Sequence, residues 1–144
     1  MELNVKEILN SKGIKATKQR IYLYELLTNQ DKPITAEDIY FIAKNEMDSF
    51  NLSTVYRILD IFVKKNLIIK SKLDIDEKFY FEIIREKHRH YLLCIYCNQI
   101  IPLSDCPIEK YEKKIAKETG YSIVDHNLEI KGICPDCKKR HQTH

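Results

Sequence analysis

Four of the five cysteines in this 144-residue chain fall into two Cys-x-x-Cys pairs, Cys94 with Cys97 and Cys134 with Cys137. Within a pair, both sulfurs can meet one ion from a single tight turn, and two pairs together fill a tetrahedral shell. Zn²⁺ suits that shell because it accepts four thiolates at about 2.3 Å without a d-electron preference for geometry. Residues 98–133 lie between the pairs, so the ion would tie distant segments together as a structural staple. A redox Cys-x-x-Cys or a disulfide framework is the competing reading. It accounts for one pair more readily than for two matched ones. The opening residues Met1 to Glu7 carry neither a basic n-region nor an apolar h-region. That favours a cytoplasmic protein whose thiols stay reduced.

At 44% hydrophobic and 31% charged residues, the composition is that of a globular protein with one core or two small ones. No stretch approaches the roughly eighteen apolar residues of a membrane span. The net charge of +3 is too small to imply a nucleic-acid partner. Residues 1–83 hold 13 Lys and Arg against 13 Asp and Glu, and residues 84–144 hold 11 against 8. Any nucleic-acid role must therefore rest on where the charges sit.

The first half reads as short helices. Thr17 is placed to cap a run in which Ile21, Tyr24 and Leu27 recur at helical spacing, and Pro33 breaks the chain after it. Thr35 caps a second run from Ala36 to Lys44, whose acidic first turn suits the positive end of the helix dipole. Ser53 is the expected cap of a third, Thr54 to Lys65. There Val55, Ile58, Leu59, Phe62 and Val63 form one inward stripe. Thr54, Tyr56, Arg57, Asp60 and Lys64 point elsewhere. Alone, that face reads as ordinary solvated surface. Arg beside Tyr near a helix start is also what a major-groove reader needs, Arg forking onto guanine or phosphate and Tyr reaching phosphate or a thymine methyl. Two predicted strands follow, Leu67–Leu73 and Lys78–Ile83, around the polar turn Asp74–Glu77, with Phe79, Phe81 and Ile83 alternating inward. Helices followed by a hairpin describe a winged helix-turn-helix, which makes DNA binding the better reading.

Residues 84–90 are polar and read as a hinge between a domain at 1–83 and another at 91–144. In the second domain, Tyr91–Ile101 and Tyr121–Ile133 have β-type composition around a predicted helix at Asp105–Thr119, so the whole is α+β. His88 and His90 are two apart, and in extended chain both rings face the same way, as a metal pair would require. Cys106, the odd thiol, reads as a buried free cysteine before it reads as a ligand or a redox group. The basic tail from Lys138 to His144 carries histidines that can bind metal loosely.

In order and spacing these segments resemble the ferric uptake regulator family of metal-responsive bacterial repressors. The resemblance is carried by Gly13–Arg20, Thr35–Tyr40, Ser53–Leu59, His88-x-His90, both Cys-x-x-Cys pairs and the stretch Gly120…His126…Gly132. It implies a homodimer with winged-helix domains on an AT-rich inverted repeat of double-stranded DNA. The small α/β domains would form the dimer, stapled by a four-cysteine zinc. It further implies DNA contacts from Lys15 in the minor groove and from Tyr56 and Arg57 in the major groove, with Thr54 beside them as a further DNA-binding residue. It also implies a second divalent ion, Zn²⁺, Fe²⁺ or Mn²⁺, on His88, His90, Glu109 and His126. The family's bridging sensor site would need donors where this chain has Pro33, Arg89 and Tyr91, leaving only Glu82. That points away from peroxide sensing through that site.

The expected function is metal-activated repression of iron or zinc homeostasis genes, with a peroxide-responsive or metal-independent regulator as the alternative. A zinc hydrolase or deaminase is disfavoured because a four-cysteine shell is closed and neither His-Glu-x-x-His nor His-x-Glu…Pro-Cys-x-x-Cys occurs. A zinc-stapled protein adaptor would leave Tyr56-Arg57 without a purpose. No membrane and no small organic substrate is expected.

Overall fold

The computed structural model of the protein describes residues 4–85, 88–103 and 105–141. Glu86 and Lys87 of the expected hinge, Ser104, and the tail residues Gln142, Thr143 and His144 lie outside the described residues. The chain divides into two compact units on either side of residue 85.

The amino-terminal unit runs α1 (Val5–Ser11), α2 (Lys18–Thr28), α3 (Ala36–Glu46), α4 (Leu52–Lys64), β1 (Ile68–Lys72) and β2 (Phe79–Ile83). Side-chain caps start each helix. Thr17 Oγ1 accepts from the Arg20 amide at 3.2 Å. Thr35 and Asp38 form a reciprocal capping box. The α4 helix begins earlier than its expected cap at Ser53, because Asn51 takes that role. The Asn51 Oδ1 accepts from both the Thr54 amide at 2.8 Å and the Thr54 hydroxyl at 2.9 Å. Asn is at least as good a cap as Ser, and two donors on one oxygen settle the start at Leu52.

The inward stripe of α4 is buried at Val55, Ile58, Leu59 and Phe62. It packs in one core with Leu23, Tyr24 and Leu27 of α2 and with Ile39 and Ala43 of α3. The antiparallel hairpin pairs Ile68 with Ile83 through to Lys72 with Phe79. Ile34 and Phe81 exchange two backbone hydrogen bonds, at 3.0 and 2.8 Å, and so add a bridge beyond β2. The alternation expected in β2 is not kept, since Tyr80 and Phe81 are both buried while Phe79 is exposed. The Tyr80 hydroxyl folds back onto Asp76 at 2.7 Å. Phe79 lies instead under the Lys70 and Lys72 ammonium groups, 4.3 and 5.3 Å from its ring centre.

The carboxy-terminal unit holds β3 (His90–Cys94), β4 (Ile100–Leu103), α5 (Glu109–Thr119), β5 (Glu129–Gly132) and α6 (Pro135–Arg140). Its sheet has the order β4-β3-β5, with β3 antiparallel to β4 and parallel to β5. The segment expected as one strand over 91–101 is a hairpin that turns back at Cys94–Cys97. Asn98 completes the turn at a φ of 62°, in the left-handed region that Asn tolerates. The α5 helix starts at Glu109 rather than Asp105, after Pro107, and ends where Gly120 takes a φ of 76°. Among the described residues, only Tyr91, Leu93, Cys94, Ile100, Cys137 and His90 are buried here, and α5 buries none of its side chains.

The two units should therefore respond differently to damage. Phe62→Ala removes a ring with no exposed surface from the amino-terminal core. It is expected to cost about 3–5 kcal/mol, read by urea denaturation of the helical circular-dichroism signal.

Candidate metal centres and nucleic-acid interface

Two groups of donor atoms converge in the carboxy-terminal unit. In the first, Cys94, Cys97, Cys134 and Cys137 bring their sulfurs within 4.8 Å of one another. Cys94 ends β3 beside Gly132 of β5, which delivers Cys134 to the same place two residues later. Cys134 caps α6, and one helical turn then returns Cys137. The Cys134 amide donates to Cys94 Sγ at 3.3 Å, and the Cys137 amide donates to Cys134 Sγ at 3.4 Å. Donors aimed at sulfur favour thiolate. The Cys134 and Cys97 amides hold the Cys94 thiol down at about 6. Cys137, pushed the other way by burial and by the other three thiols, rises to about 12. The Cys97–Cys134 separation of 3.7 Å matches the edge of about 3.8 Å for a tetrahedron with 2.3 Å bonds.

The second group is His88, His90, Cys106 and His126, again with donor atoms within 4.8 Å of one another. His126 Nε2 lies 3.2 Å from His88 Nε2 and 3.0 Å from His90 Nε2. Cys106 Sγ lies 3.3 Å from His90 Nε2 and 3.4 Å from His126 Nε2. A tetrahedral ion with three imidazoles and one thiolate would set these separations at about 3.3 and 3.5 Å. Burial, then the facing His88 and His126 rings, lowers the His90 pKa and keeps it neutral, the form that donates a lone pair. His126 Nδ1 contacts the Glu112 carboxylate, and His90 hydrogen-bonds the backbone at Leu128. Each contact occupies one edge of a ring and turns its other nitrogen towards the centre.

This group keeps three of the residues expected for the regulatory site and not the fourth. Glu109 is exposed and lies outside the cluster. As the first residue of α5, its side chain leans back out of the helix start. Glu112 comes to His126 from the next turn, and Cys106, set by the loop before Pro107, takes the remaining place. The one signal in the sequence was a lone cysteine outside both pairs. His141 of the tail stacks on Tyr96 with ring centres 4.1 Å apart, instead of joining either cluster.

The predicted DNA-reading residues lie in the amino-terminal unit. Tyr56 and Arg57 are exposed on α4, Lys15 is exposed ahead of α2, and Thr54 is half-buried by its bonds to Asn51. Arg57 and Thr54 line a concavity with Thr17, Gln19 and Arg20. Sequence reasoning missed Glu37, whose carboxylate accepts from the Tyr56 hydroxyl at 2.7 Å. That bond lowers the Glu37 pKa and raises the Tyr56 pKa. It also holds the ring in one place.

A family model described as the ferric uptake regulator family matches residues 11–131. A ferric uptake regulation protein of Cupriavidus metallidurans is 33% identical over 135 residues, covering 92% of this chain and 94% of its own. The crystal structure of the Vibrio cholerae ferric uptake regulator is similar with a TM-score of 0.76 at 28% identity, over 90% of this chain and 98% of that one. The ferric uptake regulator of Francisella tularensis with iron gives 0.75 at 29%, over 88% and 96%.

Cys137→Ala takes one of the buried sulfurs from the first group. The variant is expected to lose zinc that wild type retains through desalting, measured by elemental analysis. Hydrogen exchange should then show protection lost across β3, β5 and α6 but kept in α2 to α4, because a small domain depends on its metal where its core does not suffice.

Proposed function

The chain belongs to the ferric uptake regulator family, and we propose that it is a homodimeric, metal-activated repressor that reads double-stranded DNA with α4. The family is one of transcriptional regulators, and no helix of the described residues is long and apolar enough to cross a membrane. The observation that carries the reading is the division of labour along α4. The helix buries Val55, Ile58, Leu59 and Phe62, and it leaves Tyr56 and Arg57 exposed beside a cleft lined by Thr17, Gln19 and Arg20. Arg57 would fork onto a base edge or phosphate. Tyr56, with its hydroxyl engaged by Glu37, would offer its ring to a thymine methyl. Lys15 would reach the narrow minor groove of an AT-rich tract, where the negative potential is enhanced.

The four sulfurs would hold structural zinc, and the His88/His90/Cys106/His126 group would hold the regulatory ion. An ion there would tie the start of β3 to the loop before α5 and to the segment before β5. His88 and His90 lie within the expected hinge, residues 84–90, so the strapped segment is the one that leads in sequence to the proposed DNA-reading unit. Activation requires that the ion bind the DNA-competent arrangement more tightly than the other. Glu82, the surviving acid of the family's bridging site, lies 3.6 Å from the Arg85 guanidinium, which favours control through the His/Cys group. Homodimerisation is supported by α5, which buries no side chain within one chain, and by exposed Tyr111, Tyr121 and Val124 in the same unit.

Arg57→Ala should weaken binding to the protein's own promoter duplex by roughly 5- to 150-fold, equivalent to the 1–3 kcal/mol of a good base contact. Its melting temperature should not move. Unchanged affinity would remove α4 from recognition. With loosely held metal stripped, wild type should bind that duplex about 5- to 150-fold more weakly than after metal is restored, the usual size of an allosteric coupling. His126→Ala should bind equally in both conditions, as measured by fluorescence anisotropy at fixed salt.

A further inference from the structure

We propose that Cys106 is a metal ligand and that its sulfur makes the regulatory site selective for zinc over iron and manganese. The proposal rests on the reading of the His88/His90/Cys106/His126 group as the regulatory site and extends it to the class of ion accepted. Neither the Cys-x-x-Cys pairs nor the His-x-His motif contains this residue, and a lone cysteine would carry no such claim. Its surroundings do. Cys106 Sγ lies within 3.3 Å of His90 Nε2 and 3.4 Å of His126 Nε2. Each of these rings is held from its far side, His126 by Glu112 and His90 by the Leu128 backbone. Three imidazole nitrogens and one sulfur thus face a common point, and the acid that would have filled the fourth place, Glu109, is exposed.

The chemistry of the fourth donor decides what such a site prefers. A carboxylate oxygen is hard and suits Mn²⁺ and Fe²⁺, often with additional water ligands. A thiolate is soft, binds Zn²⁺ and Co²⁺ at about 2.3 Å, and favours the four-coordinate shell that three histidines and a cysteine complete. Glu112 acts as a positioning residue. Its carboxylate lies against His126 Nδ1 and so leaves Nε2 to face the metal, and losing such an orienting partner typically lowers metal affinity about 10- to 100-fold.

The test uses full-length protein with zinc retained in the four-cysteine site and Co²⁺ added as a spectroscopic probe of the other. Wild type should take up cobalt with a sulfur-to-cobalt charge-transfer band and the intense visible absorption of tetrahedral Co²⁺. Cys106→Ser should lose the charge-transfer band and bind Zn²⁺ more than about tenfold more weakly in competition with a chromophoric chelator, while Mn²⁺ affinity changes little. Cys106→Asp, which supplies a charged ligand of hard character, should bind Mn²⁺ more tightly than wild type and show no sulfur band. Circular dichroism of both variants establishes that they fold. Cobalt uptake with no charge-transfer band, or with a band that survives in Cys106→Ser, would overturn the role of Cys106 and leave the regulatory reading standing. No cobalt uptake beyond the zinc already present would overturn both.

Discussion

Cys94 and Cys134 are forty residues apart in the chain, yet the amide of one donates to the sulfur of the other. That closure is the constraint on which the carboxy-terminal unit depends. The amino-terminal unit buries a continuous core drawn from α1 to α4 and the hairpin, including Leu9, Leu23, Ile39, Leu59 and Phe62 with no exposed surface. The carboxy-terminal unit has a three-stranded sheet with few buried side chains and a helix that buries none. Apolar burial of that extent does not offset the entropy of ordering such a segment. A metal cross-link between the β3 turn and the start of α6 would supply part of what packing lacks, and a second protomer would supply the rest.

The two donor clusters differ in ways that match different tasks. The four sulfurs form a closed shell with backbone amides aimed at two of them, an arrangement that favours permanent occupancy. The His/Cys group draws its donors from three separate places in the chain, with His88 and His90 in one segment, contacts to Glu112 and the Leu128 backbone, and one exposed member, His88. An ion there would organise segments that otherwise share little packing. Loading and unloading such a site can change the order of its surroundings without unfolding them.

On α4 one sequence can serve packing and the proposed recognition because a helix separates its faces. Residues three and four apart supply the core stripe. Tyr56 and Arg57, adjacent in sequence but outside that stripe, remain at the surface. Glu37, from the capped start of α3, then fixes the Tyr56 hydroxyl. If Tyr56 faces DNA as proposed, a carboxylate beside it would disfavour phosphate at that point and leave the ring as the contact.

Features that depend on short-range geometry were legible in the sequence itself. The caps at Thr17 and Thr35, the buried stripe of α4, the β1–β2 hairpin and the two Cys-x-x-Cys turns each follow from residues within a few positions of one another. The family and its α+β architecture followed from the order of those segments. Tertiary structure decided what local spacing leaves free. Asn51 displaced Ser53 as a cap because its oxygen reaches two donors. Tyr80 went inward where alternation pointed to Phe79, through a hydroxyl bond to Asp76. Cys106 came to the histidines and Glu109 did not, because the length of the loop before α5 sets where that helix begins and which of its turns meets His126. Spacing within a motif fixes which side chains can share an ion. Only the path of the chain between motifs fixes which distant donor completes the shell.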